Sequence, residues 1–160
     1  MAESVFIDNT LSKKEKYNAL LPQLKSLIET EDDLIANLAN VAAVLKSSFG
    51  FFWVGFYLLK DHELVLGPFQ GPIACTRIQI GRGVCGKAFQ QADTIIVSDV
   101  NLFEDHIACS TETKSEIVIP IIIKGKTVGV LDVDSDLLND FDQQDQEGLK
   151  AIINLISSKF

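Results

Sequence analysis

Apolar positions recur every three to four residues in the first third of the chain and every second residue after that, so helices precede a sheet. Over Ser12–Glu29, Tyr17, Leu20, Leu21, Leu24 and Ile28 share one helical face. Pro22 falls inside that run and predicts a kink or a split. A second helix is predicted over Asp32–Ser48, with Leu34, Leu38, Val41 and Leu45 inward and Gly50 as its stop. Its acidic start, Glu31-Asp32-Asp33, suits the positive end of a helix dipole. The period then changes to two. Phe51–Leu59 reads as an aromatic-rich strand, Asp61-His62-Glu63 as a turn and Leu64–Leu66 as the returning strand. Gly67–Gly86 is full of Gly and Pro, with one short apolar stretch at Ile78–Ile80. A short helix at Val84–Gln91 and a strand at Thr94–Val97 follow. Asn101–Lys114 is a polar loop with room for one helical turn. Ser115–Ile123 is a buried strand, Lys124-Gly125-Lys126 a tight turn and Thr127–Asp134 the strand that pairs back. Asp142 is placed to cap a last helix that buries Leu149, Ile152, Ile153 and Ile156.

Helices, then hairpin-linked strands, then a closing helix make an α+β fold with a mainly antiparallel sheet. The N- and C-terminal helices pack on one sheet face. The long loops cover the other, and a covered cavity there is the expected ligand site. Residues 1–160 are read as one domain, since 160 residues at 47% apolar content can bury a core without staples.

Charge removes several classes of function. With 14 basic against 22 acidic residues, net −8, the chain lacks the basic face that nucleic acid or an anionic membrane needs. No apolar run is long enough to span a bilayer. The start Met1-Ala2-Glu3-Ser4-Val5-Phe6 has no secretory character, which makes a reducing cytoplasm the expected compartment.

In that setting Cys75, Cys85 and Cys109 stand out, each in loop-like sequence and none in Cys-x-x-Cys spacing. An odd count argues against a structural disulfide framework. Each alone could be a small apolar filler. Together, three thiols suffice for a redox cycle in which one attacks, one resolves and one is spare or relays. A Cys₃His zinc site with His106 matches no established spacing, and His106, three residues before Cys109, could instead stabilise a thiolate. Gly81-Arg82-Gly83-Val84-Cys85-Gly86 lacks the Lys-Ser/Thr ending of a phosphate loop. His62 lies in a turn and needs no role.

Alternation aims further chemistry at the cavity. It puts Phe51, Trp53, Gly55, Tyr57 and Leu59 on one face, with Gly55 leaving a gap between large rings. It aligns Val128, Val130, Asp132 and Asp134, and likewise Glu116, Val118, Pro120 and Ile122. Unless the strand has already emerged into solvent at Asp132, these carboxylates are buried and call for a cationic partner. A free α-ammonium would fit, and an internal residue of a peptide has none.

These residues resemble the free methionine-(R)-sulfoxide reductases, enzymes of GAF fold. The resemblance rests on Phe52-Trp53-Val54-Gly55-Phe56-Tyr57, Gly67-Pro68-Phe69-Gln70-Gly71, Gly81–Gly86, His106-Ile107-Ala108-Cys109-Ser110, Ser115–Pro120 and Gly129–Ser135, in the family's order over nearly the whole chain. It implies Cys109 as nucleophile, with Cys75 and Cys85 as resolving candidates. It implies substrate among Trp53, Tyr57, Glu116, Asp132 and Asp134, with Glu116 as candidate acid. Ser110 stands where the family pattern has Asp. The resemblance further implies no metal or organic cofactor, a thioredoxin-type dithiol reductant and a homodimer.

Overall fold

The computed structural model describes residues 4–107 and 109–160; Met1–Glu3 of the segment read for a secretory start, and Ala108 of the His106–Ser110 motif, lie outside them. In chain order the elements are α1 (Lys13–Glu29), α2 (Leu34–Phe49), β1 (Trp53–Lys60), β2 (Glu63–Gln70), β3 (Arg77–Gln79), α3 (Gly83–Gln91) and β4 (Ile95–Val97). A 3-10 turn at Val100–Leu102 leads into β5 (Ser115–Ile123), β6 (Lys126–Ser135) and α4 (Gln143–Ile156). The strands form one six-stranded sheet in the order β3-β2-β1-β6-β5-β4, and every adjacent pair runs antiparallel.

Local chemistry sets the element ends. Ser12 and Glu15 form a reciprocal capping box at α1. The Asp33 carboxylate accepts the Ala36 N–H at 2.8 Å to start α2, and Gly50 ends it in the left-handed conformation at φ 72°. Asp61 and His62 both take positive φ in the two-residue turn between β1 and β2, the geometry that follows strand twist.

α1 runs on through Pro22 without the predicted split. Proline removes one N–H bond, at about 3 kcal/mol. Leu20 and Leu24 on either side are fully buried, and burial of each returns roughly 1.5–3 kcal/mol.

The sheet divides two apolar layers. On one face α1, α2 and α4 pack against Val54, Phe56, Leu58, Ile117, Ile119, Ile121, Leu131 and Val133. On the other, Trp53, Tyr57, Leu64, Val118 and Val130 meet Val84, Cys85, Ala88 and Phe89 of α3. The GAF-like α+β arrangement expected from the sequence, with the terminal helices on one face, is the one observed.

The strand faces need four corrections. Phe51 precedes β1 and packs on the helix side, and Leu59 is exposed at the strand end. In β6 the register skips Val128 between Thr127 and Gly129, so this bulged residue turns to the helix side while Val130 faces the other way. Ile122, opposite that bulge, is exposed. β2 also extends to Gln70 through Gly67 and Pro68; a bulge against β1 there accommodates the proline.

Candidate active site

Pairing register places the carboxylates before any side chain is considered. Asp134 lies between Trp53 on β1 and Glu116 on β5, and the neighbouring row holds Gly55, Asp132 and Val118. All of these project from the face opposite the terminal helices. α3, the Gly71–Thr76 loop and the residues His106, Ile107, Cys109, Ser110 and Thr113 close over them. The cavity has about 520 Å³ of empty space, its open mouth included. Its lining includes Trp53, Tyr57, Cys85, Cys109, Glu116, Asp132 and Asp134. Cys75 joins them through a disulfide to Cys109, with 5.3 Å between Cα atoms. Seven of the eight residues singled out in the sequence therefore line one space, and Cys75 is bonded to it through Cys109.

The rings hold the cavity's loops. Trp53 Nε1–H donates to the Pro72 carbonyl at 3.0 Å, and the Tyr57 hydroxyl donates to the Cys75 carbonyl at 2.9 Å. The indole stacks between Phe69, at 5.4 Å between centroids, and Tyr57, at 6.1 Å. It also lies over Gly55, where a Cβ would collide with Trp53 and Phe69. The gap expected at Gly55 is thus filled by the tryptophan itself. On the opposite rim Lys87 Nζ donates to the Glu104 carbonyl at 2.9 Å and sits over the Phe103 ring, which anchors the Cys109-bearing segment to α3.

The floor is electrostatically costly. Glu116 and Asp132 are buried and Asp134 is half-buried. Asp132 Oδ1 has no hydrogen-bond partner among the described residues. Burial pushes Asp132 from its usual 3.8 up to about 6, with the neighbouring Cys85 and Glu116 groups holding it back. Burial, joined by the charges of Asp132 and Asp134, pushes Glu116 well above the usual carboxylate range. Asp134 is raised by burial and by Asp132, and Thr113 opposes this. At neutral pH the arrangement favours one ionised carboxylate, Asp132, beside a protonated Glu116.

Cys85 Sγ lies 4.0 Å from Glu116 Oε1. Burial and the carboxylates push this thiol far up, so it stays protonated and unreactive at neutral pH. Its sulfur and one oxygen each of Glu116 and Asp132 lie within 4.8 Å of one another, a donor set that suits an ammonium group or a metal ion. His106 faces Glu116 Oε2 at 4.0 Å, and burial lowers its pKa. It therefore stands beside the acid as a neutral ring. Arg82 and Thr113 also line the cavity and were not singled out in the sequence. Both lie outside the strands, where no periodicity marks a facing direction. The Gly-rich start of α3 was the one available hint for Arg82.

Residues 29–159 match the GAF domain family. The chain is 57% identical over 159 residues to GAF domain-containing protein A of Dictyostelium discoideum, covering 99% of this chain and 100% of that one. It is 43% identical over 144 residues to free methionine-R-sulfoxide reductase of Escherichia coli K12, covering 89% and 87%. The X-ray structure of free methionine-R-sulfoxide reductase from Neisseria meningitidis in complex with its substrate superposes with TM-score 0.95 at 48% identity, over 98% of this chain and 95% of that one. Coverage this high makes the likeness one of whole chains.

Proposed function

The chain belongs to the GAF-domain family and, within it, to the free methionine-R-sulfoxide reductases, which are oxidoreductases, and on that premise we propose that it reduces free L-methionine-(R)-sulfoxide through Cys109. The observation that carries this reading is a disulfide between Cys75 and Cys109 on the wall of a cavity whose floor holds three carboxyl groups, with one buried oxygen of Asp132 left unpaired among the described residues. A pair of loop cysteines joined there is the product expected of a thiol-based reduction.

In the proposed cycle the reduced Cys109 attacks the sulfoxide sulfur as a thiolate while Glu116, protonated by virtue of its burial, gives its proton to the sulfoxide oxygen. The oxygen, now a hydroxyl, passes from the substrate sulfur to Cys109 Sγ as the new sulfur–sulfur bond breaks, so methionine leaves and Cys109 is left as a sulfenic acid. The Cys75 thiol condenses with it, releasing water and forming the disulfide. A thioredoxin-type dithiol then exchanges with that disulfide and restores both thiols. Cys85, buried and held protonated, is the weaker resolving candidate. Asp132 and Asp134 receive the α-ammonium, which supplies the missing countercharge. The first turn of α3, with no side-chain cap and with Gly83–Cys85 on the lining, is placed to receive the α-carboxylate. The face of Trp53 takes the S-methyl group, and ring and acid on opposite sides set the choice of epimer. Among the described residues no helix is long and apolar enough to cross a membrane. A reducing cytoplasm and a homodimer complete the proposal.

The test is turnover of the free (R) sulfoxide with thioredoxin, thioredoxin reductase and NADPH, beside the (S) epimer and an N-blocked (R) sulfoxide. NADPH loss with the free (R) form alone is expected. No turnover with three titrated free thiols would overturn the reading in favour of ligand sensing.

A further inference from the structure

The carboxylates on the cavity floor cluster with a sulfur donor that the proposed cycle does not use. Cys85 Sγ and single oxygens of Glu116 and Asp132 lie within 4.8 Å of one another, and all three residues are buried. An independent observation points to a missing cation: Asp132 lines the cavity, and its buried Oδ1 has no hydrogen-bond partner among the described residues. The positive side chain on the lining does not supply one. Arg82 is half-exposed and lies 4.0 Å from Asp105.

We propose that Cys85, Glu116 and Asp132 form a site for a thiophilic divalent cation of the zinc or cadmium type, with Cys85 as the donor that the reductase cycle leaves unused. One sulfur and two oxygens are a mixed donor set that such ions accept and that magnesium and calcium, which take oxygen, do not. On a tetrahedral zinc, donor atoms stand roughly 3.3–3.6 Å apart at ordinary bond lengths. Cys85 Sγ and Glu116 Oε1 are 4.0 Å apart, so small side-chain rotations suffice. A fourth position stays open to water on the cavity side. Binding forms a metal–sulfur bond as the thiol proton leaves to solvent, and a proton leaves Glu116 with it. The ion takes the place that the substrate ammonium takes in the proposed function. That consequence, competitive inhibition, rests on that reading, whereas the site itself does not.

The disulfide form makes the test specific, because Cys85 is then the free thiol among the three cysteines. Cadmium titrated into this form should give one equivalent of thiolate-to-metal ultraviolet absorption with release of protons. The band should vanish in Cys85→Ser. Affinity should fall by about tenfold or more in Asp132→Asn and in Glu116→Gln, each checked for folding by circular dichroism. Absence of the band in the unaltered protein, or equal affinity in both carboxylate variants, would overturn the proposal. No turnover enters the measurement, so a failed reductase assay and a failed metal site remain distinguishable.

Discussion

Asp132 is the residue at which charge and burial conflict most. Its carboxyl sits at about 6 rather than 3.8 because it is buried. A raised carboxyl pKa means that the folded state holds the proton more tightly than the unfolded one. The associated stability is present below about pH 4 and is lost as pH rises towards 6, by on the order of 3 kcal/mol. Asp132→Asn should therefore gain in urea midpoint over the parent protein between pH 4 and pH 7. The same variant should raise KM for the free sulfoxide by roughly 10- to 100-fold, the worth of one charged hydrogen bond. In the parent protein kcat/KM should fall on the acid side with an apparent pKa near 6. Tyr57→Phe removes the 2.9 Å bond to the Cys75 carbonyl, so disulfide formation should slow. Trapping by a sulfenic-acid reagent should then increase. The face that Asp132 takes was readable from strand alternation, but its burial was left open there and the orphaned oxygen was not readable. It depends on what α3 brings opposite, and a single strand's pattern carries no information about that.

Elements were legible where a cap or a period marked them. Ser12, Asp142 and Gly50 fix helix ends by short-range bonds that depend on a few neighbouring residues. The Val128 bulge and the extension of β2 through Pro68 were not legible, because each is set by the partner strand's register. The packing of α1 on α4 gives two tests at this scale. Asp145 is buried and accepts bonds from Tyr17 Oη at 2.9 Å and Lys13 Nζ at 2.6 Å. Asp145→Ala should cost about 1–3 kcal/mol, read by urea denaturation, since it strands the buried Tyr17 hydroxyl while Lys13 keeps the Asp140 carbonyl and Asp142. Gly148 faces the Tyr17 ring with no space for a Cβ. Gly148→Ala should thus destabilise, despite the roughly 1 kcal/mol that alanine gains over glycine in a helix.

At the scale of the whole molecule, the family resemblance identified the fold and gathered the site, while the choice between Cys75 and Cys85 stayed open in the sequence. In the structure the bridge joins Cys109 to Cys75, which rides on the loop held by Tyr57 and Trp53, whereas Cys85 lies in α3 beside Glu116. The bridge closes a loop across a sequence separation of 34. Reducing it should lower stability by about 3–4 kcal/mol in the chain-entropy account, seen as a lower melting temperature in excess reductant. The bridge has a further consequence. Cys109, once joined to Cys75, can neither turn over again nor proceed to sulfinic acid, and the remaining thiol is buried. On the proposed cycle each molecule records a single oxidising equivalent and is silent until erased. The stapled fraction of the population then reads the balance between sulfoxide supply and reductant supply, as a one-bit redox gauge.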